Sequence, residues 1–254
     1  MLKYLQKNPK GNKLRSVKII LFLLALLGAG VAAPPIPIIM YHHIRQPQPS
    51  DSATLRDLSC APETFTRHVE AFLQAGYQTV TFEDIARGQI PARPVMLTID
   101  DGYQDAYVAY EILRRRKQKA VFFVTTRYLG DGRHLTPVQL REMARGGMEV
   151  GSHSISHPDL TALSLTNCKK EIAESKKFLE DLLGKKVISF CYPSGRVNAD
   201  VRRLVKNSGY LYARTTRPGL GKLDTEPHTL RVFRVHDNTL AEELLRQISL
   251  PSRL

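Results

Sequence analysis

Residues 95–103 read Val95-Met96-Leu97-Thr98-Ile99-Asp100-Asp101-Gly102-Tyr103, an apolar run that stops abruptly in two carboxylates and a glycine. A short continuous apolar run bounded by a turn signal fits a strand buried on both faces, as parallel sheets require. In a continuing strand, neighbouring side chains point to opposite faces, so both acids could not reach one site. Gly102 permits a tight turn at which the two carboxylates can converge. Two acids held together repel unless a cation joins them. A cap and a turn would account for a lone aspartate; Asp-Asp-Gly on the end of a buried strand points to chemistry.

Outward from this stretch the chain alternates. Apolar runs suited to buried strands recur at 36–40, 78–80, 120–124, 148–151, 187–190, 211–214 and 232–235. Between them lie helical patterns: Phe65, Val69, Phe72 and Leu73 before Gly76; Thr136-Pro137 through Gly146; Cys168, Ile172, Leu179 and Leu183 before Gly184; Val201, Leu204 and Val205 before Gly209. The apolar spacing, the capping residues and the closing glycines mark each helix. Strand and helix in alternation predict an α/β fold, a parallel sheet with outer helices, either open or closed into a barrel. In both arrangements chemistry belongs at the carboxyl ends of the strands.

Two further motifs stand at such ends. Gly151-Ser152-His153-Ser154-Ile155-Ser156-His157-Pro158 spaces two histidines at i and i+4, a common way to bring two imidazoles to one metal. Pro158 disfavours helical geometry at His157, which places the pair in a loop or a first helical turn. Two histidines and one carboxylate make a facial set that leaves positions open for water and substrate. Phe190-Cys191-Tyr192-Pro193-Ser194-Gly195 fixes a turn whose backbone N–H groups can face a cleft.

The termini and composition set limits. Of 254 residues, 37 are Lys or Arg and 24 Asp or Glu, a net charge of +13. Six of the cations precede residue 19 with no acid among them, which leaves +7 for the remainder. This basic segment runs into the apolar stretch 19–27 and the small residues 28–33, the pattern of a secretory signal cleaved before Ala33. An uncleaved membrane anchor is the alternative, and both leave residues 34–254 outside the cytoplasmic membrane. Cys60, Cys168 and Cys191 are an odd count, so at most one bridge and one free thiol can form, with three pairings open. No glycine-rich phosphate loop is present, and Arg114-Arg115-Arg116-Lys117 reads as a solvated helix face, so a nucleic-acid partner is not expected.

Asp100-Asp101-Gly102, His153-xxx-His157 and Tyr192-Pro193-x-Gly195 occur in the order and spacing of the polysaccharide deacetylase (NodB-homology) family, which the chain therefore resembles. Pro37-Ile38-Ile39-Met40-Tyr41-His42-His43-Ile44, Glu63-Thr64-Phe65, Gly76-Tyr77 and Phe122-Phe123-Val124 resemble the bacterial subgroup with the biofilm poly-N-acetylglucosamine deacetylases. The likeness spans about residues 36–248. It implies an irregular (β/α)7 barrel and a divalent metal on Asp101, His153 and His157, zinc first, with cobalt, nickel or iron as alternatives. It implies Asp100 as general base, the Tyr192 backbone N–H as oxyanion donor and His236 as the candidate general acid.

Departures from the family pattern are specific. Ile99 stands where members mostly carry Phe, and the chain has no Trp for the usual Asp-Trp segment. The arginine often found before the Pro-x-Gly loop is replaced by Phe190-Cys191, so Arg231 or Arg234 is expected to orient a carboxylate. Tyr41, His42 and His43 are expected on the rim of the cleft. The implied activity is hydrolysis of N-acetyl groups on an N-acetylglucosamine-containing polysaccharide at the cell surface, in the periplasm or in the medium. A carbohydrate-binding module on the same barrel is the alternative, although a lectin has no need of a base beside a metal triad.

Overall fold

The computed structural model describes residues 35–249. The segment read as a signal or anchor lies outside them. Among the described residues no helix is long and apolar enough to cross a membrane.

The eight expected strands form, with boundaries shifted by up to four residues. They are β1 (Ile38–Tyr41), β4 (Gln78–Thr79), β5 (Pro94–Ile99), β6 (Val121–Val124), β7 (Glu149–Ser152), β8 (Ser189–Cys191), β9 (Tyr212–Pro218) and β10 (Leu230–Arg234). A short parallel pair, β2 (His43–Ile44) with β3 (Ser59–Cys60), was not legible in the sequence. The sheet order is β1-β10-β9-β8-β7-β6-β5-β4, and β1 also pairs with β5. That second pairing closes seven parallel strands into a ring, with β4 appended to β5. The expected seven-stranded α/β barrel is therefore the fold.

Helices α1 (Ala53–Asp57), α2 (Pro62–Gln74), α3 (Phe82–Ala86), α4 (Ala106–Arg115), α5 (Pro137–Arg145), α6 (Leu165–Leu183), α7 (Ala199–Asn207) and α8 (Ala241–Ser249) connect or follow the strands. Their ends follow local chemistry. Thr136 and Gln139 form a reciprocal capping box before α5, and Gly184 closes α6 in the left-handed conformation.

Strand alternation divides the core in two. Ile38, Met40, Met96, Val121, Phe123, Cys191 and Val232 belong to an apolar cluster inside the ring. Ile39, Tyr41, Leu97, Ile99, Phe122, Val124 and Phe190 pack outward beneath the helices. Because the period is two, each inward row can be followed to the carboxyl end of its strand. The row of Met96 reaches Asp100, that of Met40 reaches His42, and that of Gly151 reaches His153. Gly151 is required there, since a Cβ would lie 2.5 Å from the Phe123 ring.

Candidate active site

Asp100 and Asp101 leave β5 in different directions. Asp100 keeps the inward parity of Met96 and is buried. Asp101 would point outward, but its φ of 68° turns the backbone and redirects its carboxylate. Gly102 follows at φ 78°, where a Cβ would lie 2.9 Å from Val124. The bend that the sequence placed at Gly102 thus begins one residue earlier.

Asp100 is clamped. Its Oδ1 accepts from the guanidinium of Arg214, an inward residue of β9 with no solvent exposure. Its Oδ2 lies 3.8 Å from Cys191 Sγ and 3.9 Å from His42 Nε2. The cation expected beside the paired acids is therefore Arg214, and the expectation of Arg231 or Arg234 is corrected. Arg231 is exposed and bonds the Pro218 carbonyl, while Arg234 pairs with Asp57 at 3.2 Å. Arg214 was overlooked because Tyr212-Ala213-Arg214-Thr215 reads as an ordinary strand. The available signal was a lone charge inside a run otherwise fit for burial.

Asp101 faces the two histidines. Its Oδ1 lies 3.3 Å from His153 Nε2 and 3.6 Å from His157 Nε2. His153 Nδ1–H donates to the Cys191 carbonyl at 2.7 Å, which leaves the Nε2 lone pair toward Asp101. A lone pair and a carboxylate that face one another need a positive charge between them. Two donors each about 2.1 Å from one tetrahedral ion lie roughly 3.4 Å apart, so the three side chains fit a divalent cation. Burial works to raise the Asp101 pKa, but His153, His42 and His157 hold it well below the ordinary carboxylate range. Without an ion between them, Cys191 and Asp101 carry the His153 pKa well above 6.5 against the effect of burial, so a proton on Nε2 takes the place that a metal would fill. Burial, with His153 nearby, lowers the pKa of His157.

The histidine loop is strained and pinned. Ser154 and His157 adopt φ of 67° and 58°, and Ser194 of the Tyr192 turn adopts 54°. With Asp101, these are four of the five non-glycine residues at positive φ among the described residues. Strain of this kind concentrates at functional sites and persists only where the surroundings enforce it. Here Glu171 of α6 enforces it, accepting from the N–H groups of Ile155 and Ser156 at 2.9 Å each and from Ser156 Oγ at 2.7 Å.

The remaining predicted residues are placed differently. Tyr192 N–H donates to the Arg214 carbonyl at 3.2 Å, and its hydroxyl to the His228 carbonyl at 3.0 Å. His236 follows β10 but its Nδ1 lies 2.7 Å from Asp57 Oδ1, and nearly half of its side chain is exposed. His42, expected on the rim, is instead beside Asp100. Its Nδ1 is buried without a hydrogen-bond partner among the described residues, and burial lowers its pKa. All three cysteines are free and buried, so no bridge forms, and Cys191 lines the site.

The α/β barrel thus carries at its carboxyl rim an Asp-His-His set that fits a divalent cation and, beside it, an arginine-held carboxylate. The chain belongs to the polysaccharide deacetylase family, whose model matches residues 87–213. It is 32% identical over 206 residues to YxkH of Bacillus subtilis, named for the same family, covering 79% of this chain and 71% of that one. Among solved structures it resembles the Streptococcus pyogenes deacetylase PplD, determined in complex with acetate. The TM-score is 0.80 at 30% identity, covering 85% of this chain and 99% of that one. It is also 23% identical over 182 residues to the poly-β-1,6-N-acetyl-D-glucosamine N-deacetylase of Staphylococcus aureus, covering 64% of this chain and 63% of the relative.

Proposed function

We propose that this deacetylase hydrolyses the N-acetyl groups of an N-acetylglucosamine-containing polysaccharide outside the cytoplasmic membrane, releasing acetate and a free amino sugar. The observation that carries the reading is the Asp101–His153–His157 donor set beside the Arg214-held carboxylate of Asp100. Residues 1–33 act as a signal or anchor for the catalytic domain 34–254. The Staphylococcus aureus relative supports N-acetylglucosamine as the sugar.

Asp101, His153 and His157 would hold the divalent metal, zinc first. When bound, such an ion polarises a carbonyl and lowers the pKa of an adjacent water. Asp100, oriented by the Arg214 guanidinium, accepts the proton of the attacking water. The Cys191 carbonyl fixes the tautomer and aim of His153. Tyr192 N–H is the proposed donor to the developing oxyanion, a role in which it must share or leave the Arg214 carbonyl. The leaving amine takes its proton from His236 in the reading carried over from the family.

Acetate release from poly-β-1,6-N-acetylglucosamine, peptidoglycan and chitin oligomers tests the activity and ranks the polymers. Asp100→Asn should retain metal while losing about 10²–10⁴ in turnover, the usual size of a general-base contribution. No acetate from any of the three, or wild-type turnover in the variant, would overturn the reading.

A further inference from the structure

Cys191 brings sulfur chemistry to the edge of the Asp101–His153–His157 set. It ends β8 on the inward row, within the apolar cluster inside the ring. Its Sγ lies 3.8 Å from Asp100 Oδ2 and 3.8 Å from His153 Nε2. The three donor atoms all fall within 4.8 Å of one another, and all three side chains are buried. The proposed reaction makes no use of the thiol.

The spacing is that of a ligand set. A tetrahedral ion about 2.3 Å from sulfur and about 2.1 Å from nitrogen or oxygen holds those donors roughly 3.6 Å apart. Cys191 stands within a few tenths of an ångström of that separation from each partner. The charges agree as well. Arg214 holds Oδ1 of Asp100, which leaves Oδ2 facing the thiol. A divalent ion there offsets a buried carboxylate and a buried thiolate together, the company that buried charges require. Asp101 and His157 take no part in this second set, and His153 belongs to both. One Nε2 lone pair serves one ion, so the two positions exclude each other. Donor chemistry also separates them: the first offers one oxygen and two nitrogens, whereas the second offers sulfur, which selects thiophilic ions.

We infer that Asp100, His153 and Cys191 form a second, inhibitory position for a thiophilic divalent cation. The thiol proton passes to solvent as the metal–sulfur bond forms. An ion held there takes the carboxylate that the reaction needs as its base and withdraws His153 from the first position. The effect on turnover rests on the deacetylase reading, whereas the position itself rests on the three side chains.

Cadmium ion, titrated alone into the full chain without oxygen, tests the position through the ultraviolet charge-transfer absorption of a metal–thiolate bond. The absorption should arise in wild type, Cys60→Ala and Cys168→Ala, and vanish in Cys191→Ala and Cys191→Ser. It should persist in His157→Ala, where the first position has lost a ligand. Its loss in His157→Ala would mean that the thiol joins the first ion, which overturns a second position. No absorption in wild type, or absorption kept by the folded Cys191 variants, overturns it equally. These readings hold even if no polymer releases acetate and the deacetylase reading fails. The inhibitory role is read on cobalt-loaded enzyme, each protein against its own uninhibited rate. The cadmium concentration that halves acetate release should rise more than about 100-fold in Cys191→Ala, since losing even a group that orients a ligand costs about 10–100-fold. Equal inhibitory concentrations in variant and wild type would overturn that role.

Discussion

Arg214 is wholly buried inside the barrel and donates to Oδ1 of Asp100. The pair joins β9 to the end of β5 across the ring, and Arg214 Nε has no hydrogen-bond partner among the described residues. Buried pairs contribute little when replaced together but cost much when broken. Arg214→Met should therefore destabilise the fold by about 3–5 kcal/mol in urea titration. Adding Asp100→Asn should recover a good part of that loss. A single-variant cost within the noise, or strict additivity of the two changes, would show that the pair is not coupled.

His153→Ala and His157→Ala should each lose bound metal, since two protein ligands remain from a facial set. Glu171→Ala leaves all three donors but frees the loop between the histidines. It should weaken metal affinity about 10–100-fold, the usual cost of losing a group that orients a ligand. Competition with a chelator measures this directly, and circular dichroism checks the fold. Full affinity in Glu171→Ala would show that the loop holds its own shape.

The identity of the general acid is decided by comparing two histidines. His236 is tied to Asp57, whereas His42 stands 3.9 Å from Asp100. If His236 protonates the amine, His236→Ala should reduce amide turnover by about 10²–10⁴ and spare an activated ester, whose leaving group needs no proton. The corresponding pattern in His42→Ala, with His236→Ala mild, would move the role to His42. Equal losses on amide and ester in His236→Ala would falsify its acid role.

Glu149 gives a pH signature at the other end of the barrel. It is buried on the inward row of β7, where it accepts from Ser189 Oγ at 2.5 Å and from the Glu83 N–H at 2.8 Å. Burial raises its pKa from 4.5 to about 7. Between these values the folded state binds more protons than the unfolded one, so stability falls as pH rises. The contribution is fully present below pH 4.5 and is lost as pH passes through about 7. Its size is on the order of 3 kcal/mol. Thermal denaturation from pH 4 to 8 should show this slope, and Glu149→Gln should flatten it.

The elements and the motifs are legible in the order of residues alone. Apolar runs punctuated by glycine and proline located eight strands because burial on both faces leaves little choice of residue. Asp-Asp-Gly, the spaced histidines and the Tyr-Pro-x-Gly turn were legible because each is local, with its residues a few positions apart. What the tertiary structure decided was every relationship across the ring. Closure by β1 against both β5 and β10 is a pairing between segments far apart in sequence, and no local pattern encodes it. That closure brings Arg214 to Asp100 and His42 to the same carboxylate, and leaves His236 beside Asp57. The left-handed turn at Asp101 is likewise set by its surroundings, since an aspartate alone does not favour a positive φ. Inward or outward parity is a property of each strand, but which inward residues meet depends on how the strands are arranged around the barrel.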